Sequence, residues 1–519
     1  MQHRCRAAVP AYTPCMRHRL PEPPRFFHLL HCHQMVSKYP AKEHARRAFA
    51  HFLEKLPEES QSAFFISGEN YELWPYCDQS KPIRQNRYFY YITGCNIPGS
   101  HVFYDGGNDK LTLYLPDVDE EDIMWSGLPV SRDEAAAKYD VDEVKFAHEV
   151  SADLKAFSYK IYTTDVNQWN KNFESHLIEK DYAFFHGLDE ARLIKDDYEI
   201  ALMRHAAKIT DKCHHGVMSA TAIETNETHI HAEFMYHALR EGSKYQSYDP
   251  ICCSGPNCST LHYVKNDDEI PETKHSILID AGAEWECYAS DVTRCFPING
   301  DWTVEHLNIY RAVLRMQQVT MSMIRPGALW DDIHLRAHEI LIEEFLKLGI
   351  FKSKYSKQEI YESRISARFF PHGLGHLLGM DTHDVGGRPN YEDPDPYLQY
   401  LRLRRKLQKG MVLTDEPGIY FSPFLLEDVL KDEKKAKYID HNVLDKYWYV
   451  GGVRIEDDLV ITANGFENLT GITSDPAEIS EIVKKGLNKN KKCCKLGAKT
   501  VTAAVAVFVA GYLFRAWRR

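Results

Sequence analysis

The sequence is poor in the features that define several broad protein classes. It has no C-x-x-C pair, and its 13 cysteines, odd in number, follow no regular spacing. That argues against a disulfide scaffold and fits a reduced, intracellular, cytoplasmic protein whose thiols act as small buried hydrophobes. Basic residues are outnumbered, 63 Lys and Arg against 74 Asp and Glu, for a formal net charge of -11. Broad nucleic-acid binding needs basic surface to neutralise phosphates, so no nucleic-acid partner is expected. The apolar h-region of a secretory signal is missing from the N-terminus. Without such a signal, the N-x-[ST] matches at Asn226, Asn257 and Asn468 read as chance. No internal repeat of short period is found.

What is present describes a soluble globular protein: 44% hydrophobic and 26% charged residues in 519, enough for two folded domains and tails. Residues 1–34, rich in Arg, His and Pro with Glu22 as the one acid, read as a disordered extension, and Met35 is an alternative start. Residues 476–519 form a basic tail. Within it, Thr500–Phe514 is uncharged and flanked by Lys491, Lys492, Lys495 and Lys499 on one side and Arg515, Arg518 and Arg519 on the other. As a helix it would span roughly 22 Å at ~1.5 Å per residue, short of the ~30 Å hydrocarbon core. Snorkelling flanks, Tyr512, Trp517 and palmitoylation of Cys493-Cys494 would favour a tail anchor in an organelle membrane. A terminal helix packed on the globule is the other reading.

Residues 35–190 suggest one small α/β domain. Ala41–Leu56 has the spacing of an amphipathic helix, and Ala63–Ser67, Tyr88–Ile92, His101–Tyr104 and Leu111–Leu115 read as strands. A second unit, 195–475, opens at Asp196-Asp197, a helix N-terminus for Tyr198–Ile209. Ser276–Asp280 and Glu286–Ile298 are expected strands. Val304–Ile324 and Trp330–Leu348 are expected helices, separated by Arg325-Pro326-Gly327.

The chemistry lies in acids and histidines set in apolar, glycine-flanked segments. Asp280 ends Ile277-Leu278-Ile279-Asp280-Ala281-Gly282, and Asp291 follows. His372 and His376 lie in Pro371-His372-Gly373-Leu374-Gly375-His376, with His383 in Asp381-Thr382-His383-Asp384. Glu416 sits in Leu413-Thr414-Asp415-Glu416-Pro417-Gly418, and Glu456 closes Gly451-Gly452-Val453-Arg454-Ile455-Glu456. A lone Asp at a strand end is more often a turn former, and a His beside Gly is usually a loop residue. A Glu after an apolar run, however, must be paired, solvated or bound to a cation. Several carboxylates with one imidazole favour Mn²⁺, Co²⁺ or Zn²⁺ in a dinuclear site over a structural zinc. The Gly373-x-Gly375 pair is no dinucleotide loop, because its third glycine, Gly379, falls one position late.

These segments resemble the metallopeptidase family of aminopeptidase P and prolidase. The likeness runs from about residue 195 to 475, and residues 41–190 resemble the family's N-terminal domain at Arg87–Phe103 and Trp125-Ser126-Gly127-Leu128. The resemblance implies an α/β (α+β) chain with a pita-bread catalytic domain behind a smaller aminopeptidase P N-terminal domain. It implies Asp280 as ligand of one metal, Asp291 and Glu456 as bridging carboxylates, and His376 and Glu416 as ligands of the other. Two divalent ions per chain are expected, with Mn²⁺ the favoured metal. His262, in Thr260-Leu261-His262-Tyr263, and His383 match the substrate-side histidines, His372 a supporting one, and Arg454 the arginine beside the last ligand. Asp415 departs from the family, which usually carries an apolar residue there; it would add charge behind the site or point away.

The implied activity is release of an N-terminal residue from peptides with proline in second position, by a hydroxide bridging two metals, in an enzyme that is a homodimer by analogy. Catalysis would involve His262, His383, Glu416 and Arg454, with His372 and Arg402 on the substrate. Arg402, in Leu401-Arg402-Leu403-Arg404-Arg405, also allows an Xaa-Pro dipeptidase, since a guanidinium suits carboxylate capture, or it belongs to a solvated basic strand. A non-catalytic pita-bread binding protein is the alternative from another class.

Overall fold

The computed structural model describes residues 38–164 and 177–489. The expected N-terminal extension, Met35, the Thr500–Phe514 anchor and Cys493-Cys494 lie outside the described residues. Among the described residues no helix is long and apolar enough to cross a membrane.

The first part of the chain winds a six-stranded mixed sheet in the order β4-β3-β2-β1-β5-β6. Its strands are β1 (Ala63–Ser67), β2 (His101–Asp105), β3 (Lys110–Leu115), β4 (Glu143–Phe146), β5 (Ile161–Thr163) and β6 (Leu177–Glu179). All five residues of β1 are buried, as an uninterrupted Ala-Phe-Phe-Ile-Ser run requires of a strand covered on both faces. The helix Ala41–Leu53 lays Ala41, Ala45, Ala48, Phe49 and Phe52 against the sheet and the helix Tyr182–Leu193. It stops three residues short of the expected Leu56, before Pro57.

Two expected strands are corrected. Tyr88–Ile92 is helical, within Arg87–Thr93. Asn86 accepts from Tyr88 N at 3.0 Å and Phe89 N at 3.1 Å, and Gly94 closes the helix at φ 64°. Aromatic residues favour strands locally, but these caps and burial on every side outweigh that preference. Glu286–Ile298 is mostly not a strand: Glu286 and Cys287 take positive φ in a tight turn, and β9 spans only Thr293–Pro297. The expected helix Tyr198–Ile209 runs further, as Asp197–Ala220. Asp196 caps it by accepting from Tyr198 N and Glu199 N.

The second part stacks long helices against three small antiparallel sheets. These are β7 (Ile251–Ser254), β8 (Ser276–Asp280) and β9; β10 (Val412–Asp415), β13 (Asp457–Ile461) and β14 (Phe466–Asn468); and β11 (Gly418–Tyr420) with β12 (Gly452–Arg454). Helices Val304–Met323 and Trp330–Leu348 bury Trp330, Ile333, Ile340 and Phe345 in the main core. The two parts meet through a buried polar seam. His44 bonds Asp196 at 2.8 Å, Tyr39 contacts Tyr288 at 3.2 Å, and Arg87 donates to Glu284 at 2.5 Å.

Candidate metal centre

The small sheets bring acids from distant segments together. β8 delivers Asp280 opposite Thr293 of β9, and Asp291 lies two residues before Thr293. The turn between them needs Gly282, whose added Cβ would fall 1.6 Å from the Ser290 carbonyl oxygen. Behind it, Asp458 accepts from Ser290 Oγ at 2.8 Å and Asp291 N at 3.0 Å, fixing the backbone of Asp291. Glu456, between β12 and β13, is tied to the same ladder: Thr293 Oγ1 donates to its Oε2 at 2.6 Å.

His376 and Glu416 come from the opposite side. Gly375 lets its loop press on β10, since a Cβ there would meet Thr414 O at 2.0 Å. Thr414 N donates to His376 O at 2.9 Å and Glu416 N to Leu374 O at 2.8 Å, so loop and strand hold both side chains in register. His376 Nδ1 donates to the Leu377 carbonyl at 2.9 Å. That bond leaves Nε2 as the free nitrogen, 3.4 Å from Asp291 Oδ2 and 3.5 Å from Glu416 Oε1. Ligand atoms of Asp291, His376 and Glu456 all lie within 4.8 Å of one another. All five side chains line one cavity of about 1350 Å³.

The electrostatics of this cluster call for cations. With protein charges alone, burial and the neighbouring acids hold Glu456 well above the usual carboxylate range. Burial raises Asp280 despite Arg454, and pushes Glu416 up to about 7. Asp291 stays low: burial opposes this, but the hydrogen bonds to His376 and Tyr248 favour its charged form. Burial also favours neutral His376, yet Asp291 and Glu416 lift it to about 9. The buried Asp280, Asp291 and Glu456 and the half-buried Glu416 thus gather around Arg454, which reaches Asp280 Oδ2 at 2.5 Å, Tyr420 OH at 2.8 Å and Thr293 Oγ1 at 3.1 Å. An oxygen-rich set with one imidazole and surplus negative charge fits hard or borderline divalent metals.

The other expected site residues, His262, His372, His383, Arg402 and Arg454, line the same cavity. His372 bonds Gly373 O and Tyr420 OH, each at 2.8 Å. The His383 ring stands edge-on to His376 at 4.5 Å. Burial first, then neighbouring cationic groups, push both His372 and His383 down to about 3, and burial also lowers His262. The three arginines do not form one solvated basic strand. Arg404 is bound by Asp331 and Asp393, and Arg405 by Glu190, whereas Arg402 contacts Tyr391 OH at 3.2 Å. Among the described residues no carboxylate pairs with Arg402. Asp415 points away from the cavity, to Thr320 Oγ1 at 2.9 Å.

Two residues escaped the sequence reading. The Tyr248 hydroxyl sits between the carboxylates of Asp280 and Asp291, 2.5 Å from Asp291 Oδ1. Tyr420 joins His372 to Arg454. Neither lies in a pattern that advertises chemistry: Tyr248 is in the polar turn Ser247-Tyr248-Asp249-Pro250.

The model of metallopeptidase family M24 matches residues 201–463, and that of the aminopeptidase P N-terminal domain matches residues 44–162. The chain belongs to metallopeptidase family M24. Its mixed α/β architecture is accordingly a pita-bread domain preceded by an aminopeptidase P N-terminal domain, and its expected class, a metal-dependent hydrolase, stands. An uncharacterized peptidase of Saccharomyces cerevisiae is 53% identical over 457 residues, covering 87% of this chain and 85% of that one. A probable Xaa-Pro aminopeptidase of Sordaria macrospora is 45% identical, covering 87% and 97%. Among solved structures, aminopeptidase P of E. coli with the inhibitor Pro-Leu is 29% identical, with a TM-score of 0.71, covering 87% of this chain and 100% of that one. The aminopeptidase PepP of Pseudomonas aeruginosa also gives a TM-score of 0.71, at 28% identity over 87% and 99% of the two chains.

Proposed function

We propose that this chain is an Xaa-Pro aminopeptidase that works with two divalent ions, Mn²⁺ being the expected metal. The observation that carries the reading is the gathering of Asp280, Asp291, His376, Glu416 and Glu456 in one cavity, with Arg454 bonded to Asp280 as the fixed counter-charge among them. Asp291 and Glu456, whose ligand atoms lie within 4.8 Å of each other and of His376, would be the carboxylates shared by both ions. Asp280 would hold one ion, and His376 and Glu416 the other. When bound, the ions would supply Lewis acidity and lower the pKa of a water molecule toward neutrality.

The chain's own groups do the rest. Glu416, which faces the cavity beside His376, is the group that takes a proton from the attacking water. As the carbonyl carbon becomes tetrahedral, neutral His262 or His383 presents an N–H to the developing oxyanion, a contact worth roughly 3–4 kcal/mol elsewhere. The C–N bond then breaks, and the proline nitrogen receives the proton held by Glu416. An imide to proline has no N–H and a fixed ring, so a rigid wall of histidines does not need the donor that ordinary peptidases use. Support for the proline preference comes from the relatives. The Sordaria macrospora protein is named a probable Xaa-Pro aminopeptidase, and the inhibitor held by the E. coli enzyme, Pro-Leu, has the form of what remains after Xaa is removed from Xaa-Pro-Leu.

One observation favours a dipeptidase instead: Arg402 faces the cavity without a carboxylate partner among the described residues, ready for a substrate C-terminus. The deciding experiment is turnover of an Xaa-Pro dipeptide and an Xaa-Pro-Xaa tripeptide, each with and without Mn²⁺. Metal-dependent cleavage of the tripeptide after its first residue is expected. Cleavage of the dipeptide alone would make the protein a prolidase, and cleavage of neither would leave the binding-protein alternative standing.

A further inference from the structure

Glu227 is fully buried at the start of the helix Glu227–Arg240, outside the metal centre. Its carboxylate accepts five hydrogen bonds, all from residues 254–268. Oε1 receives Ser254 N at 2.9 Å, Ser254 Oγ at 2.6 Å and Asn257 Nδ2 at 3.1 Å. Oε2 receives Tyr263 OH at 2.8 Å and Asp268 N at 3.1 Å. Lys274 Nζ lies 3.8 Å away and also bonds Ser254 Oγ.

This segment carries His262 into the cavity. From Gly255 to Asp268 it contributes no strand to any sheet; it has a short 3-10 turn, Gly255–Ser259, and then irregular backbone. Its shape is therefore imposed by side chains, and Glu227 binds it at both ends and, through Asn257 and Tyr263, in the middle. Ser254 ends β7, whose first residue, Ile251, pairs with Asp280. On its other side the loop rests on Gly451 and Gly452, where a Cβ would strike Gly255 O at 2.2 Å and Cys258 O at 2.3 Å. Those glycines lead into β12 and Arg454. One carboxylate thus fixes the distance between the His262 loop and the strand that delivers a ligand acid.

We propose that Glu227 is a positioning residue for His262, holding its imidazole against the scissile bond of the substrate; this rests on the Xaa-Pro peptidase reading. A carboxylate is required because all five partners act as donors. A glutamine amide facing Ser254 with its oxygen turns its NH₂ toward Asp268 N–H, which cannot accept.

The test is a double-mutant cycle of Glu227→Gln and His262→Ala in the Mn²⁺-loaded protein, reading kcat/KM on an Xaa-Pro-Xaa tripeptide. Glu227→Gln is expected to lower kcat/KM by about 10- to 100-fold. The double variant is expected to fall no further than about twofold below the weaker single variant, because both changes remove the same contact. Multiplying losses, or a loss under about twofold for either single variant, would overturn the proposal. If Glu227→Gln fails to fold, Tyr263→Phe removes one of the five bonds and must show the same non-additivity with His262→Ala at smaller size. Failure of the underlying reading shows differently: the unaltered protein would not turn the tripeptide over, which would overturn both.

Discussion

Asp291→Asn lowers turnover of an Xaa-Pro peptide by at least about 10³-fold while the chain stays folded. The size follows from what one atom pair does at this site. Asp291 Oδ2 faces His376 Nε2 at 3.4 Å, and Oδ1 faces the Tyr248 hydroxyl at 2.5 Å, so both oxygens are engaged inside the cluster. An amide of the same shape removes one negative charge and one acceptor, and so would deprive the proposed pair of ions of a shared ligand. The backbone of residue 291 keeps its bond to Asp458, so the fold is retained. Steady-state kinetics with circular dichroism checks this, and turnover within tenfold of the original would remove Asp291 from the bridging role.

The second large effect is a competition between protons and metal. Burial carries Glu416 from 4.5 to about 7 with protein charges alone, and His376 goes from 6.5 to about 9 through Asp291 and Glu416 against the effect of burial. Both folded-state values are raised, so both groups bind their protons more tightly when folded. Their contribution to stability is whole below the unfolded values and is lost as pH rises through the folded ones. For Glu416 that amounts to something on the order of 3 kcal/mol. In the metal-free protein these two groups contribute less at pH 8 than at pH 6, while the buried neutral His262, His372 and His383, whose values are lowered, contribute more. Metal needs the deprotonated forms, so its affinity rises by about tenfold per pH unit toward 7, and its stabilisation, about 2.7 kcal/mol at a hundred times Kd, is larger at pH 8 than at pH 6. Thermal melts at pH 6 and 8, with and without Mn²⁺, should show the larger metal-induced rise in Tm at pH 8. A metal-induced rise in Tm no larger at pH 8 than at pH 6 would contradict the electrostatic account.

The sequence was most legible where chemistry and backbone constraint coincide. Asp280 ends an apolar strand, and His376 and Glu416 lie beside glycines and a proline that fix their loops, so these segments stood out as candidates and the family resemblance assigned them as ligands. Gly282 and Gly375 show why: each permits an approach to backbone that no side chain allows. Tyr248 was illegible because its role depends on a contact made across 32 and 43 residues, with nothing local to signal it. Tyr88–Ile92 misled for the opposite reason, since its aromatic composition pointed to a strand while Asn86 and Gly94 set a helix. The turn at Glu286-Cys287 was hidden because two non-glycine residues adopt positive φ there. Asp415 could not be oriented from sequence; its direction depends on Thr320, 95 residues earlier.

Metal content ties these statements together most directly. The protein should be dialysed against a chelator, assayed on an Xaa-Pro-Xaa tripeptide, then titrated with Mn²⁺ while bound metal and turnover are followed together. Loss of cleavage on chelation, and recovery that saturates near two ions per chain, is the result this structure leads us to expect. Full cleavage by protein shown to hold no metal would contradict it, whatever the arrangement of the five side chains.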